Sequence, residues 1–218
     1  MSLILIYGVH GYDRGMKPLR YTIMIRVFEL FCKLNLINLS AKDLFLQSMA
    51  EFQLNDHKCP FCSAKHPDWK RHAVYERYLI SFESGRNISY LITIVRYKCS
   101  SCGHTHAILP EFIIPYQSYS LLFILSVMRD YFMGSLTVAD ICEKYDISIS
   151  TLYSWKKLFL RHKKVWLGLL DDACTSSLQF LDLLFRNHLR TLKEFFLMAG
   201  VSFLQSPSHI KKAYFAPA

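Results

Sequence analysis

The rhythm of hydrophobic and polar positions changes several times along the chain, and each change predicts a different element. The apolar run before residue 15 reads as a small buried strand. Residues 24–34 carry a dense apolar face with Arg26, Glu29 and Lys33 set between, which predicts a helix. Asn38-Leu39-Ser40 interrupts it. Ser40 then predicts the N-cap of a helix from 41 to about 54, with Asp43 at the favourable end of the dipole. The period drops to two in residues 73–83 and 88–98. With Ser84-Gly85-Arg86-Asn87 as the turn, these predict a β-hairpin.

Helical spacing returns at about 118–132, where Leu121, Leu122, Leu125, Val127, Met128 and Phe132 form a packing face. It continues through SLTVADICEKYDISISTLYSWKKLFLRHKK, residues 135–164, in two pieces. Leu136, Val138, Ile141, Cys142 and Tyr145 line the first piece and Ile147 falls in the turn. Ile149, Leu152, Trp155, Leu158 and Phe159 line the second, which Ser148 or Ser150 caps. Two helices three or four residues apart are the spacing of a helix-turn-helix. A last helix is predicted from about 176 to 200.

The predicted fold class is α+β and mainly helical. It comprises a four-cysteine zinc ribbon with a β-hairpin, a three-helix helix-turn-helix core and a C-terminal helix. The expected domains are 1–56, mostly helical; 57–115, the ribbon; 116–168, the helix-turn-helix; and 169–218, helical.

Seven cysteines change this picture. Cys59-Pro60-Phe61-Cys62 and Cys99-Ser100-Ser101-Cys102-Gly103 make a C-x2-C…C-x2-C set, one pair before the first strand of the hairpin and one after the second. Two such turns can bring four thiolates to one ion at tetrahedral angles, and a ribbon this small needs a metal to fold. One structural Zn2+ on Cys59, Cys62, Cys99 and Cys102 is the leading expectation. An iron centre or a redox pair stays open, although the βαβ setting of a redox C-x2-C is missing. His57, His66, His104 and His106 crowd the pairs, as replacement ligands or as hydrogen-bonding neighbours. A shell filled by four thiolates leaves no position for a reactive water.

The formal net charge is +9, and it stays clearly basic after four thiolates and one divalent ion are allowed for. A polyanionic partner fits that balance. Between Thr151 and Lys164 the basic residues Lys156, Lys157, Arg161, Lys163 and Lys164 occur without an acid, as contact with phosphates requires. The outward positions Ser150, Thr151, Tyr153 and Ser154 precede them, where short polar side chains reach base edges. The expected DNA-binding set is therefore Ser150, Thr151, Tyr153, Ser154, Lys156, Lys157, Arg161, Lys163 and Lys164. His10, Arg14, Lys17 and Lys211-Lys212 are secondary candidates. An odd cysteine count and the lack of a basic n-region before the first apolar run predict a cytoplasmic protein, nucleoid-associated when bound to DNA. No apolar stretch is long enough to predict a membrane partner.

CPFC, RYKCSSCGHTHAILPEFIIPYQSYS and TVADICEKYDISISTLYSWKKLF together resemble a bacterial family found chiefly in Firmicutes and defined as a domain of unknown function. It is similar to the zinc-ribbon and helix-turn-helix front ends of mobile-element transposases. Arg96, Thr105, His106, Leu109-Pro110 and Pro115-Tyr116 share in the likeness, which spans roughly 57–165. It implies the same four cysteine ligands and a recognition helix bearing Thr151, Tyr153, Ser154, Lys156 and Lys157. It implies no reaction. The acids after the helix pair, Asp171, Asp172, Asp182 and Glu194, lie in helical sequence without the strands of a two-metal nuclease core. The expectation is a non-enzymatic, sequence-specific duplex-binding protein, an accessory factor or regulator of a mobile element. The alternative is a protein-interaction or targeting subunit for a separate transposase or recombinase. Leu178, Leu181, Leu184, Phe185, Leu192, Phe195 and Phe196 also provide a face for a homodimer.

Overall fold

The computed structural model describes residues 24–27, 40–186 and 188–206. The expected N-terminal strand before residue 15, His10, Arg14, Lys17 and Lys211-Lys212 lie outside these residues. The order is β1 (Met24–Val27), α1 (Ala41–Glu51), β2 (Trp69–Glu83), β3 (Arg86–Cys99), β4 (Thr105–Pro110), α2 (Leu121–Met133), α3 (Val138–Tyr145), α4 (Ile149–Cys174), α5 (Ser177–Arg186) and α6 (His188–Ala199). The mixed α/β architecture has one sheet in the order β1-β4-β3-β2, in which only β1 runs parallel to its neighbour.

The long β2–β3 hairpin is the axis of the molecule. Its strands pair from Trp69↔Cys99 to Glu83↔Arg86. The loop is just Ser84-Gly85, both at positive φ (51° and 79°), the backbone that matches the twist of a two-residue hairpin. The turn is shorter than the four residues expected, because Arg86 and Asn87 already belong to β3. After β4 the chain folds back across the sheet. Ile80 N–H donates to Ser118 O and Ser120 N–H to Ile80 O, so residues 118–120 lie along the free side of β2.

Residues 24–27 correct the helix expected at 24–34. They pair with residues 107–110 of β4, and Ile25 buries against Ile108. A four-residue apolar segment fits either period, and the open edge of β4 decides for strand. Residues 28–34 lie outside the described residues. The Ser40 cap is as expected: its hydroxyl accepts from Asp43 N–H at 3.1 Å, and α1 ends at Glu51.

The helices pack against the sheet. Leu79, Ile92, Ile94, Ala107 and Leu109 meet Leu121, Phe123, Ile124 and Met128 of α2, and Phe45 of α1 joins them. Tyr145, Leu152 and Trp155 extend this core through α3 and α4. Phe159, Phe180, Phe195 and Phe203 carry it into the C-terminal helices. One continuous cluster thus crosses the boundaries expected at 56, 115 and 168. α5 and α6 occupy the span predicted as a single C-terminal helix; residue 187 between them lies outside the described residues. None of the described helices is long and apolar enough to cross a membrane.

Candidate metal centre and polar helix face

Each cysteine pair sits in the same backbone turn. Cys59 O accepts from Ser63 N–H at 2.8 Å, and Cys59 N–H donates to Ala64 O at 3.0 Å. Cys99 O accepts from Gly103 N–H at 2.9 Å, and Cys99 N–H donates to His104 O at 2.9 Å. Both turns close through a left-handed residue, Ser63 (φ 59°) and Gly103 (φ 73°). The glycine signals the second turn in the sequence. The serine hides the first, since a non-glycine residue rarely takes that conformation.

The two turns face each other. Cys59 Sγ lies 3.7 Å from Cys102 Sγ, and Cys62 Sγ lies 3.9 Å from Cys99 Sγ. All four sulfurs fall within 4.8 Å of one another. Four thiolates at zinc–sulfur distance on a tetrahedron stand about 3.8 Å apart. The cluster therefore fits one four-coordinate metal ion. Burial pushes the Cys59 thiol up to about 12 and also raises Cys102. Burial acts the same way on Cys99, but the backbone N–H groups of Cys102 and Ser101 outweigh it and bring that thiol down to about 7. Crowded thiols cannot all ionise alone; a divalent cation would supply the charge that lets them.

Of the four neighbouring histidines, His106 is buried and brings Nε2 to 3.4 Å from Cys59 Sγ. It therefore contacts a sulfur from outside the four-sulfur group, and Trp69 packs edge-on against its ring. His104 stacks on Phe61 at 3.5 Å. His57 and His66 bond to the backbone carbonyls of Gln53 and Asn55. Among the described residues, the cysteine group alone gathers three or more side chains able to hold a metal.

At the opposite end of the hairpin, α3 and α4 are joined by Asp146-Ile147-Ser148. Thr137 caps α3 in a reciprocal box with Asp140, and Asp146 ends it in the left-handed conformation (φ 47°). Ile147 enters the core. Ser148 caps α4 by accepting from Thr151 N–H at 3.2 Å, and its hydroxyl also meets those of Ser150 and Thr151. Trp155 fixes α4 against Tyr119 and Phe123.

The expected polar set then separates. Ser150, Tyr153, Ser154, Lys157, Arg161 and Lys164 are exposed, and Thr151 is half-buried. Ser150, Thr151, Ser154, Lys157 and Arg161 line one open groove of about 750 Å³ together with Gln117, Ser118, Tyr119 and Ser206. Lys156 is half-buried: its ammonium donates to Tyr131 Oη at 2.5 Å and lies over the Tyr131 and Tyr153 rings. Lys163 is a correction. It is only 5% exposed and pairs with Asp172 at 2.9 Å, so it does not belong to an open basic face. Nine residues of straight helix would put Asp172 about 13 Å along the axis. The non-helical backbone of Gly168 (φ 79°, ψ 178°) brings the last turn back, and the Asp172 and Thr175 carbonyls also accept from the Lys163 ammonium. The signal was in the spacing, because Lys163 follows Phe159 by four residues on the buried stripe. Ile149, expected inward, is 54% exposed because it starts the helix before the stripe turns to the core.

Residues 53–155 match the family model of a domain of unknown function, DUF6431. The DUF6431 region takes in both cysteine pairs, the whole hairpin, α2, α3 and the start of α4 as far as Trp155. Lys156, Lys157, Arg161 and Lys164 follow it. No curated protein and no solved structure matches the chain.

Proposed function

We propose that the chain is a zinc-dependent, sequence-specific duplex DNA-binding protein. In this reading α3 and α4 are a helix-turn-helix, and α4 is its reading helix. The observation that carries it is the exposed face of α4. A cluster of hydroxyls at its capped N-terminus is followed about two and three turns later by Lys157 and Arg161, while Trp155 and Leu152 hold the opposite face in the core. A helix N-terminus with short polar side chains suits base edges and phosphates, and the cations beyond it suit the flanking backbone. Zinc suits the closed four-sulfur group, where it would hold the two turns together.

The biological role we propose is that of an accessory factor or regulator of a mobile element, without catalysis of its own. The likeness of the cysteine-pair and helix segments to transposase front ends supports it. A second reading is docking to a separate recombination enzyme or other protein. It draws on Val74, Tyr78 and Leu91, which form an exposed apolar stripe along one face of the hairpin.

The test is selection from a random duplex library with the purified chain, before and after chelation, with metal counted first. One zinc per chain and one enriched motif are expected, and chelation should abolish enrichment. Ser150→Ala or Thr151→Ala should change the preferred bases, with discrimination falling by about 1–3 kcal/mol for each hydrogen-bonded base edge that is no longer read. Lys157→Gln with Arg161→Gln should weaken all sequences alike and flatten the salt dependence. No enrichment at low salt by metal-loaded protein would overturn DNA reading and favour the docking stripe.

A further inference from the structure

Midway along the hairpin lies a second polar depression, distinct from the metal and from the groove on α4. Tyr75 and Arg77 are two residues apart on β2 and so share a face. The register places Ala73 opposite Arg96, Tyr75 opposite Ile94 and Arg77 opposite Ile92, and Arg96 opposite Ala107 of β4. All these side chains therefore lie on the face whose Ile92, Ile94, Ala107 and Leu109 are buried. The loop after β4 adds Tyr116, at φ 63°, with Gln117 and Ser118. The result is a cavity of about 470 Å³ with Ala107 and Leu109 in its lining and two guanidinium groups and two phenols around them.

Among the described residues no ion pair reaches Arg77 or Arg96. Arg77 uses one terminal nitrogen on the carbonyls of Ile114 and Gln117. Arg96 donates from Nη2 to Thr105 Oγ1 at 2.7 Å, while its Nε is buried without a partner. Burial lowers the Arg77 guanidinium from its ordinary value, yet arginine keeps its proton in proteins. Two cations over an apolar floor are costly until an anion joins them. Planar guanidiniums and phenol hydroxyls match the oxygens of a phosphate group.

We infer that Arg77, Arg96, Tyr75 and Tyr116 form a phosphate-binding site, and that it takes a backbone phosphate of the duplex lying along α4. Gln117 and Ser118 border both this cavity and the α4 groove, so the two are contiguous. The duplex as the source of the phosphate rests on the proposed function; the phosphate chemistry does not.

The experiment follows the arginine Nε–Hε resonances of the full, metal-loaded chain while inorganic phosphate is added, and separately a short duplex in phosphate-free buffer. Both should shift the Arg77 and Arg96 signals, and the duplex should displace phosphate. Arg96→Gln should remove the phosphate response and weaken duplex binding about tenfold, a change of about 1.4 kcal/mol. Arg96→Lys should restore part of the affinity, and unchanged metal content and melting temperature would show both variants folded. Lys157→Gln should leave the phosphate response intact. Phosphate shifts without any duplex effect on these arginines would overturn the duplex as the source and leave a free-phosphate site. If the duplex does not bind at all, the proposed function falls while the phosphate response still judges this cavity. Arginine signals unmoved by either probe would overturn the site.

Discussion

The two ends of the β2–β3 hairpin are held by different physics. At the cysteine end little apolar surface is available: Ile25 and Ile108 form a small cluster with partly buried Trp69 and Tyr97. Four sulfurs stand where a larger core would. At the turn end, Phe82 packs on Tyr145 and Phe123. Asn87 Nδ2 donates to Tyr145 O at 2.6 Å, and Glu83 accepts from Ala41 N–H and Tyr90 Oη. One end gathers four thiols that fit a metal ion; the other rests on aromatic burial. A single strand pair can carry both because its ladder makes the ends mechanically continuous while the interactions that stabilise each end stay local.

The largest effect should come from the metal. A structural zinc contributes on the order of 10 kcal/mol to a small domain. Chelation or Cys99→Ala should remove amide-exchange protection from residues 57–72 and 97–106. Protection in α2, α3 and α4 should persist. Simultaneous loss at both ends would break the comparison. The converse experiment is Phe123→Ala or Trp155→Ala, each expected to cost about 3–5 kcal/mol in urea unfolding. One metal per chain should still bind.

Acid should reach the helical side through His162. Its ring is buried against Phe195 and Phe203, and Nδ1 accepts from Leu204 N–H at 2.9 Å. Burial, with the charge of Arg161, lowers this histidine to about 4. The unfolded chain takes up the proton first, at about 6.5. Stability is therefore independent of this group above that pH, falls between about 6.5 and 4, and levels off below, for a total of about 3 kcal/mol. His162→Gln keeps an acceptor but cannot titrate. The difference between its pH slope and that of the unaltered chain separates this loss from protonation of the thiolates.

The smallest effects should be local. Thr137→Ala removes half of the α3 capping box and should cost about 1 kcal/mol, read by thermal unfolding. Gly103→Ala should cost about the same through its positive φ, because an added Cβ would meet only Lys98 Cε at an ordinary 3.8 Å. Weakened metal affinity should accompany the glycine change and not the threonine change.

The sequence by itself determined what is written in short spacings. The two C-x2-C pairs, the period-two strands, the Ser40 cap and the apolar faces of α2, α3 and α4 each lie within a few residues, so local geometry and periodicity suffice. Only the tertiary structure decided the rest. Residues 24–27 became a strand because β4 offered an open edge. Lys163 lies on the buried stripe by its spacing, but its partners, a carboxylate and two carbonyls, were delivered by the reversal at Gly168. Lys156 was drawn onto Tyr131, a residue of another helix. Arg77, Arg96 and Tyr116 met through strand register and a returning loop, and His106 met Cys59 across the closed ribbon. Side chains distant in sequence have no shared period to announce their meeting; burial and hydrogen-bond satisfaction in the assembled fold select it.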